Sequence, residues 1–246
     1  MPGALVFGAA ASDRVSIAAA AAINDLDPFT YIGWFNPSSL GTNRQLVDKA
    51  AAGNVGKVFG ADGTDSSKLQ FRVSRATTAT NYSSATGVVV INTWQLFALV
   101  FDSTLGAGLK CKFYKGTLSA PAALQTATVA AEGAGTLTSE ATSPLLIGNV
   151  VGLTIAFVGS IAPVAVFNVA LSLADIQSWQ QRPRVTVGAN VAKMFVRPGK
   201  NGADCIEYTG LTPTVTGPTQ GDGPGLDQGD LTWQRDTASG LLTMAA

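Results

Sequence analysis

The loop GADGTDSSK, residues 60–68, places two carboxylates three residues apart in an oxygen-rich stretch. Asp62 and Asp65 are candidate calcium ligands, because this hard cation binds carboxylate and carbonyl oxygens. Calcium takes six or more ligands, however, and one short loop supplies too few. The alternative, which we favour, is a glycine-containing hairpin loop whose carboxylates are solvated. We therefore predict no cofactor, and calcium at this loop remains the alternative.

A second group of side chains could line a sugar-binding face. The segment KLQFRVSR, residues 68–75, alternates between apolar and polar residues, as a half-buried strand does. Its polar side carries Arg72, with Arg75 at its end and Tyr82 a few residues further on. The alternative, which we favour, is that the arginines form the solvent side of a strand and that Tyr82 lies in a loop.

Histidine-dependent chemistry is excluded, because none of the 246 residues is histidine. Ser-His-Asp and Cys-His catalysis both need an imidazole as the general base, and many zinc sites need one as a ligand. No phosphate-binding loop and no basic patch with interleaved aromatic residues is visible either.

The charge composition argues against several partners. Charged residues make up 13% of the chain, and the sixteen basic and sixteen acidic residues give a net charge of zero. Nucleic acids and anionic membranes therefore exert no electrostatic attraction on the protein. The low charge leaves little repulsion between copies, which suits a protein that works in an assembly. The first residues lack a basic n-region, so we expect no signal peptide and synthesis in a host cytoplasm.

One long uncharged stretch could be mistaken for a membrane span. Residues 141–174 contain no charged side chain. Glycine, proline and asparagine residues divide this stretch into short apolar pieces, which are typical of core strands rather than of a membrane helix. We therefore predict no membrane association.

The remaining pattern is dominated by strands. The segment FTYIGWFNP at 29–37 is rich in aromatic and β-branched residues and ends at Pro37, and WQLFALVFD at 94–102 is a largely apolar run, as expected for a strand that is covered on both faces. Near residues 173–181 the sequence instead predicts one short helix, with Ser172 and Asp175 as a capping box and Pro183 after its end. A short helical turn is also predicted within 18–22. The expected fold is all-β, a two-sheet antiparallel sandwich with one short helix.

Several segments in order over residues 4–182 resemble the laminin-G-like domains of the concanavalin A-like lectin/glucanase superfamily. The matching positions are Phe29, Thr30, Trp34, Phe35, Pro37, Leu46, Val47, Lys49, Trp94, Ala98, Phe101, Asp102, Gly148, Phe157, Gly159, Ile161, Val164, Val166, Phe167, Asn168, Ala170, Leu171, Ser172, Asp175 and Ile176. The resemblance implies a concanavalin A-like jelly roll in which a short helix follows the strand that ends in Phe-Asn. It also implies that Trp34 and Trp94 are packing residues.

Departures from the family pattern bear on activity. The glucanases of this superfamily use paired carboxylates in an E-x-D-x-x-E strand motif. The glutamates of this chain, Glu132, Glu140 and Glu207, stand in no such motif, so we predict that the protein is not an enzyme. Ala162 and Pro163 replace an acidic residue that many members carry, which argues against an inherited calcium site. Pro163 also predicts a bulge or a sheet edge, because proline cannot donate to the strand ladder.

The chain divides by composition into a domain and a tail. Residues 1–215 are predicted to form the sandwich, with a late strand within 190–215, and residues 216–246 a Gly/Pro-rich linker and a C-terminal tail. The tail carries a set of large apolar residues: Leu231, Trp233, Leu241, Leu242 and Met244. A purely flexible tail seldom carries such a set. We predict that these residues mediate assembly; the alternative is that Trp233 folds back on its own sandwich.

The two cysteines carry little information. Cys111 lies on the apolar side of the segment LKCKFYKG and is interpreted as a buried small hydrophobic residue. Cys205 lies in a loop-like segment, and whether the two pair stays open.

Two functions fit these observations. The first is a non-enzymatic structural protein of a phage-type virion, as a capsid decoration, head-fibre or tail-associated protein that contacts copies of itself and a capsid or tail protein. The second is a carbohydrate-binding lectin module of a bacterial or viral surface protein. Glycan binding with and without calcium would distinguish them.

Overall fold

The computed structural model describes residues 3–8, 10, 12–41, 44–51, 55–153, 155–198, 205–224, 233–235 and 242–244. The strands in chain order are β1 (Gly3–Phe7), β2 (Arg14–Ile17), β3 (Phe29–Pro37), β4 (Gln45–Ala51), β5 (Val55–Ala61), β6 (Leu69–Val73), β7 (Thr80–Ser84), β8 (Gln95–Phe101), β9 (Cys111–Thr117), β10 (Ala123–Gln125), β11 (Ala127–Ala131), β12 (Leu145–Ile147), β13 (Gly159–Phe167), β14 (Thr186–Val187), β15 (Asn190–Val191), β16 (Met194–Pro198), β17 (Cys205–Glu207), β18 (Pro213–Thr216), β19 (Thr219–Asp222), β20 (Trp233–Arg235) and β21 (Leu242–Met244). The helix α1 spans Leu173–Gln181, and a 3-10 turn spans Ala21–Ile23.

Two antiparallel sheets form a sandwich, so the predicted fold class is confirmed. The first sheet has the order β10-β9-β8-β3-β13-β1-β19, with β16 also paired to β13 and β17 paired to β16. The second sheet has the order β11-β7-β6-β5-β4-β12-β2-β18. The chain passes from one sheet to the other at both sides, between β10 and β11 and again between β18 and β19.

The main hydrophobic core lies between the two sheets. Phe29 of the first sheet contacts Phe71 of the second, with ring centroids 5.8 Å apart. The central strand β8 is buried along its whole length, as its apolar sequence predicts. Phe97, Leu99 and Phe101 of this strand face the interior, and the residues between them face a second core outside the first sheet.

The helix α1 covers that second core. Ser172 Oγ accepts a hydrogen bond from the Asp175 amide at 3.2 Å and Asp175 Oδ2 accepts one from the Ser172 amide at 3.3 Å, so the predicted capping box is confirmed. Ile176 and Trp179 are buried against the sheet. Gln180 is buried as well, and its side-chain oxygen accepts a hydrogen bond from the Ala122 amide at 2.6 Å, which compensates for the loss of water.

The helix and its hairpin therefore occupy the outer face of the first sheet. The β14–β15 hairpin adds Val187 to the same core. Any binding site on a sheet surface is thus expected on the outer face of the second sheet, on which α1 does not pack.

The long uncharged stretch folds as strands. Residues 145–147 form β12 and residues 159–167 form β13. In the described part of the chain, no helix has both the length and the hydropathy that crossing a membrane requires. Pro163 lies at a register shift between β13 and β3, so the predicted bulge is confirmed, whereas β13 is a central strand and not an edge.

The predicted boundary between the sandwich, residues 1–215, and the linker and tail, residues 216–246, can be compared with the observed strands. The late segment adds β18 to the second sheet through pairing with β2, which places this predicted strand in the sandwich. The expected linker, however, contains β19, which pairs with β1 from Gly3↔Asp222 to Val6↔Thr219. Glycine and proline composition concealed this strand, since edge strands tolerate residues that break central ones. Cys111 is a free and buried cysteine, as expected for a small hydrophobic residue.

Candidate functional site

The outer face of the second sheet carries a group of four polar side chains. Phe71 and Tyr82 point into the core, so their neighbours along β6 and β7 lie on the opposite face. The register pairs Gln70 with Ser83 and Arg72 with Asn81 across the two strands. All four side chains are half-buried. We call Gln70, Arg72, Asn81 and Ser83 the polar patch.

Asp62 holds one end of the polar patch in place. Its Oδ2 accepts hydrogen bonds from Ser83 Oγ at 2.7 Å and from Gln70 Nε2 at 3.3 Å. Its Oδ1 accepts from the Thr64 amide at 2.8 Å. Burial raises the pKa of Asp62, but the hydrogen bonds from Ser83 and Thr64 outweigh burial and lower it below its ordinary value. An ionised Asp62 therefore fixes the orientation of two patch side chains.

The two candidate calcium ligands organise the loop between β5 and β6. Asp65 accepts hydrogen bonds from Ser67 Oγ at 2.6 Å and Thr86 Oγ1 at 2.8 Å, and lies 3.7 Å from Lys68. Among the residues that the structure describes, no three metal-ligating side chains cluster. Residues 62–68 form a loop between the paired strands β5 and β6, as predicted, but one feature differs from the expectation. Asp62 is buried and hydrogen-bonded rather than solvated.

Both predictions for Tyr82 were wrong: it is neither a glycan-contacting residue nor a loop residue. It lies within β7, is fully buried, and donates its hydroxyl hydrogen to Glu132 Oε1 at 3.0 Å. The alternation of TNYSS could have revealed this strand, because an aromatic residue between polar ones is expected to point inward.

The two candidate arginines are separated. Arg72 belongs to the polar patch, whereas Arg75 lies beyond the end of β6. The Arg75 guanidinium donates to Thr80 Oγ1 at 2.8 Å and to the carbonyl oxygen of Gly135 at 3.1 Å. Arg75 therefore links the start of β7 to the segment around Gly135 by hydrogen bonds, and it lies outside the polar patch.

A buried carboxyl group lies on the same outer face, and the sequence analysis missed it. The register aligns Leu146, Asp48, Val58 and Arg72 in one row across β12, β4, β5 and β6. Burial raises the pKa of Asp48 to about 7, against a smaller opposing effect of the hydrogen bond that the Ala50 amide donates. The signal was present in the sequence, since an aspartate interrupts the apolar stretch of β4.

A second charged group lies between the sheets and was also missed. Lys57 Nζ donates to Glu140 Oε1 at 2.5 Å, and the Asp25 amide donates to the same oxygen at 3.0 Å. Lys49 Nζ donates to the carbonyl oxygens of Glu140 and Ser143 at 2.9 and 2.6 Å. Burial raises the pKa of Glu140 above its ordinary value, and Lys57 opposes this effect. Because these groups are enclosed and mutually paired, they serve the fold.

The predicted assembly residues are described only in part. Trp233 lies in β20, and Leu242 and Met244 lie in β21, where the backbone forms an antiparallel hairpin with Trp233 opposite Met244. Leu231 and Leu241 lie outside the described residues. The role of this tail in assembly stays a prediction.

The fold and the sequence together define the class of this protein. The Laminin_G_3 family model, described as the Concanavalin A-like lectin/glucanases superfamily, matches residues 8–177. The chain therefore belongs to this superfamily, and the resemblance stated from its motifs is confirmed at that level. No curated protein matches the sequence.

Several solved structures align with this chain at low sequence identity. A proposed carbohydrate-binding protein from Bacteroides ovatus aligns with a TM-score of 0.62 and 16% identity over 91% of this chain and 61% of that chain. This protein thus spans about three fifths of that relative. The CBM40 of a Ruminococcus gnavus IT-sialidase, bound to α2,3-sialyllactose, aligns with a TM-score of 0.45 and 14% identity over 62% of this chain and 82% of that chain. Domains LG4-5 of the mouse laminin α1 chain align with a TM-score of 0.46 and 12% identity over 77% of this chain and 46% of that chain.

Proposed function

We propose that the protein is a non-enzymatic carbohydrate-recognition module that binds its ligand on the polar patch. The observation that carries the proposal is the alignment of Gln70 with Ser83 and of Arg72 with Asn81 on neighbouring strands. Sugars present adjacent hydroxyl groups, each of which can donate and accept a hydrogen bond. Amide, guanidinium and hydroxyl side chains at neighbouring strand positions match such pairs of hydroxyls in spacing and in hydrogen-bonding capacity.

Preorganisation supports the same proposal. Asp62 Oδ2 accepts hydrogen bonds from Ser83 and Gln70, so these side chains are already ordered before a ligand arrives. Binding then costs less side-chain entropy than it would with freely rotating groups. The superfamily to which the chain belongs contains lectins, which adds weight to a sugar ligand.

The absence of histidine and of a paired-carboxylate motif favours binding without catalysis. Within the described residues, Asp62 is the carboxylate that contacts the patch, and its two oxygens accept hydrogen bonds from protein groups. A general acid or base would need a carboxyl group directed at the substrate.

A glycan array, read with and without calcium, tests the proposal. We expect binding of at least one glycan class that is independent of calcium, and loss of that binding in Asn81→Ala and Arg72→Ala. Lys112→Ala is the control, because Lys112 is an exposed cationic residue of β9 in the first sheet and should leave binding unchanged. Equal loss in all three variants, or binding by none of the proteins, contradicts the proposal.

A structural role in a virion is the second candidate. The observation that favours it is the low-charge composition, 13% charged residues with a net charge of zero, which leaves little repulsion between closely packed copies. We propose that such a protein decorates a capsid, a head fibre or a tail, and that the carbohydrate-binding face points outward. Co-sedimentation with purified particles of a phage whose genome encodes the chain tests this role, and a protein that stays in the supernatant would exclude it.

A further inference from the structure

Part of the outer face of the second sheet is buried although it faces away from the main core. Leu146, Asp48 and Val58 are only 3%, 1% and 7% exposed. They alternate with core residues along β12, β4 and β5, so they lie on the outer side of the sheet. Leu146 and Val58 belong neither to the core between the sheets nor to the core under α1.

The strands themselves cannot cover this area. On the outer face, the neighbours of Val58 along β5 are Gly56 and Gly60, which have no side chains. Its cross-strand neighbours are Asp48 and Arg72, and a neighbour of Asp48 within β4 is Ala50. Arg72 is the one long side chain among these neighbours, and it does not reach Leu146 three strands away, so the burial of the whole set points to a further segment on this surface. We call Leu146, Asp48, Val58 and Ala50 the covered row.

The β20–β21 hairpin has the matching apolar character. The register places Trp233 opposite Met244 and Arg235 opposite Leu242. Directly opposite residues share a face of an antiparallel pair, as do residues two apart in one strand, so Trp233, Leu242 and Met244 fall on one face together with Arg235. An isolated two-stranded hairpin is marginally stable in water and needs a surface to pack on.

The hairpin is within reach of the covered row. β19 ends at the edge of the first sheet beside β18, the edge of the second, and three strand steps separate β18 from β4. Three steps span about 14 Å, and the two sheets are separated by about 10 Å. Residues 225–232 extend to roughly 28 Å when fully stretched, which covers that path.

We propose that the C-terminal hairpin packs on the outer face of the second sheet of its own chain, over the covered row. The row continues directly into the polar patch through Arg72, which lies opposite Val58. The hairpin would then form one wall of the proposed ligand-binding face and confine the ligand to β6 and β7. The burial of Leu146, Asp48 and Val58 and the length of residues 225–232 support this packing whatever ligand the protein binds.

A double-mutant cycle in the full-length protein tests this packing. Val58→Lys places a charge under the hairpin, and we expect it to lower the thermal midpoint by about 4 °C, a typical shift for 1–2 kcal/mol in a chain of this size. Leu124→Lys is the control, because Leu124 is 57% exposed on the first sheet and should tolerate the charge. In the Trp233→Ser background, the effect of Val58→Lys should fall to about 1 °C or less.

Additive effects of Val58→Lys and Trp233→Ser would overturn the proposal. If Val58→Lys does not fold, Trp233→Ser alone provides the test: it should increase binding of an apolar fluorescent dye, because it uncovers Leu146 and Val58. Unchanged or reduced dye binding would overturn the proposal. The hairpin could instead pack on a second copy of the chain, and light scattering tests this arrangement. A wild-type dimer that Trp233→Ser dissociates would place the hairpin on the second copy and would overturn the proposal.

Discussion

Lys57 Nζ lies 2.5 Å from Glu140 Oε1 in the interior, where both side chains are only 2% exposed. The ammonium group also lies 5.2 Å from the centre of the Phe29 ring, a core residue of the first sheet. Lys49 is fully buried beside this pair and is bound to backbone carbonyl oxygens of the 140–143 segment. The sandwich therefore encloses two cationic side chains, and Glu140 is the carboxylate on which their burial depends.

Glu140→Gln is expected to destabilise the protein strongly. It removes the charge that compensates Lys57, and an uncompensated buried charge typically costs about 3–5 kcal/mol. Urea denaturation measures the loss. Glu132→Gln is the control, because Glu132 forms a more exposed pair with Lys110 at 3.4 Å and should cost about 1 kcal/mol. Similar losses in both variants would show that burial of the Lys57–Glu140 pair is not decisive.

Asp48 is expected to make stability fall as the pH rises from about 4 to about 7. Its pKa is about 7 in the folded protein, against an ordinary value of 3.8 that applies to the solvated side chain of the unfolded chain. Over this interval the unfolded chain releases the proton while the folded protein retains it, so unfolding becomes more favourable; above about pH 7 the cost is constant. The full difference is on the order of 4 kcal/mol.

Denaturation of Asp48→Asn across this pH range checks the effect. The neutral variant should gain stability relative to wild type as the pH rises to about 7, and then keep a constant advantage. Asp65→Asn is the opposite control, because hydrogen bonds from Ser67 and Thr86 lower the pKa of Asp65. That variant should lose stability relative to wild type as the pH rises through the acidic range. A pH-independent difference for Asp48→Asn would contradict the prediction.

Gly148→Ala is expected to be more harmful than Gly87→Ala, although both glycines have φ of +82°. An added Cβ at Gly148 would come within 2.4 Å of the Phe7 ring, whereas one at Gly87 meets nothing within 4 Å. The shared backbone strain costs about 1–2 kcal/mol in each variant. Overpacking against Phe7, which contacts Phe157, should add about 1–3 kcal/mol for Gly148 alone. Thermal unfolding of the two variants gives this difference directly, and equal midpoints would contradict it.

Local pattern in the sequence determined most of the architecture. The apolar run of β8 and the alternation of β6 fixed strand type and facing, because these depend on neighbours one or two residues away. Ser172 and Asp175 located the start of α1 for the same reason, since a capping box closes within four residues. Pro163 marked the bulge in β13 because it lacks a backbone donor.

Long-range pairing decided the candidate site. Glu140 meets Lys57 across 83 residues, and Ser83 meets Asp62 across 21, distances over which no periodicity in the sequence carries information. The partner of Tyr82 shows the same limit, because its hydroxyl group bonds Glu132, which lies 50 residues away in the sequence. The face on which a strand residue lies reverses with a register shift of one position. Strand identity is therefore local, whereas the residues that share a surface are set by the register of the folded sheets.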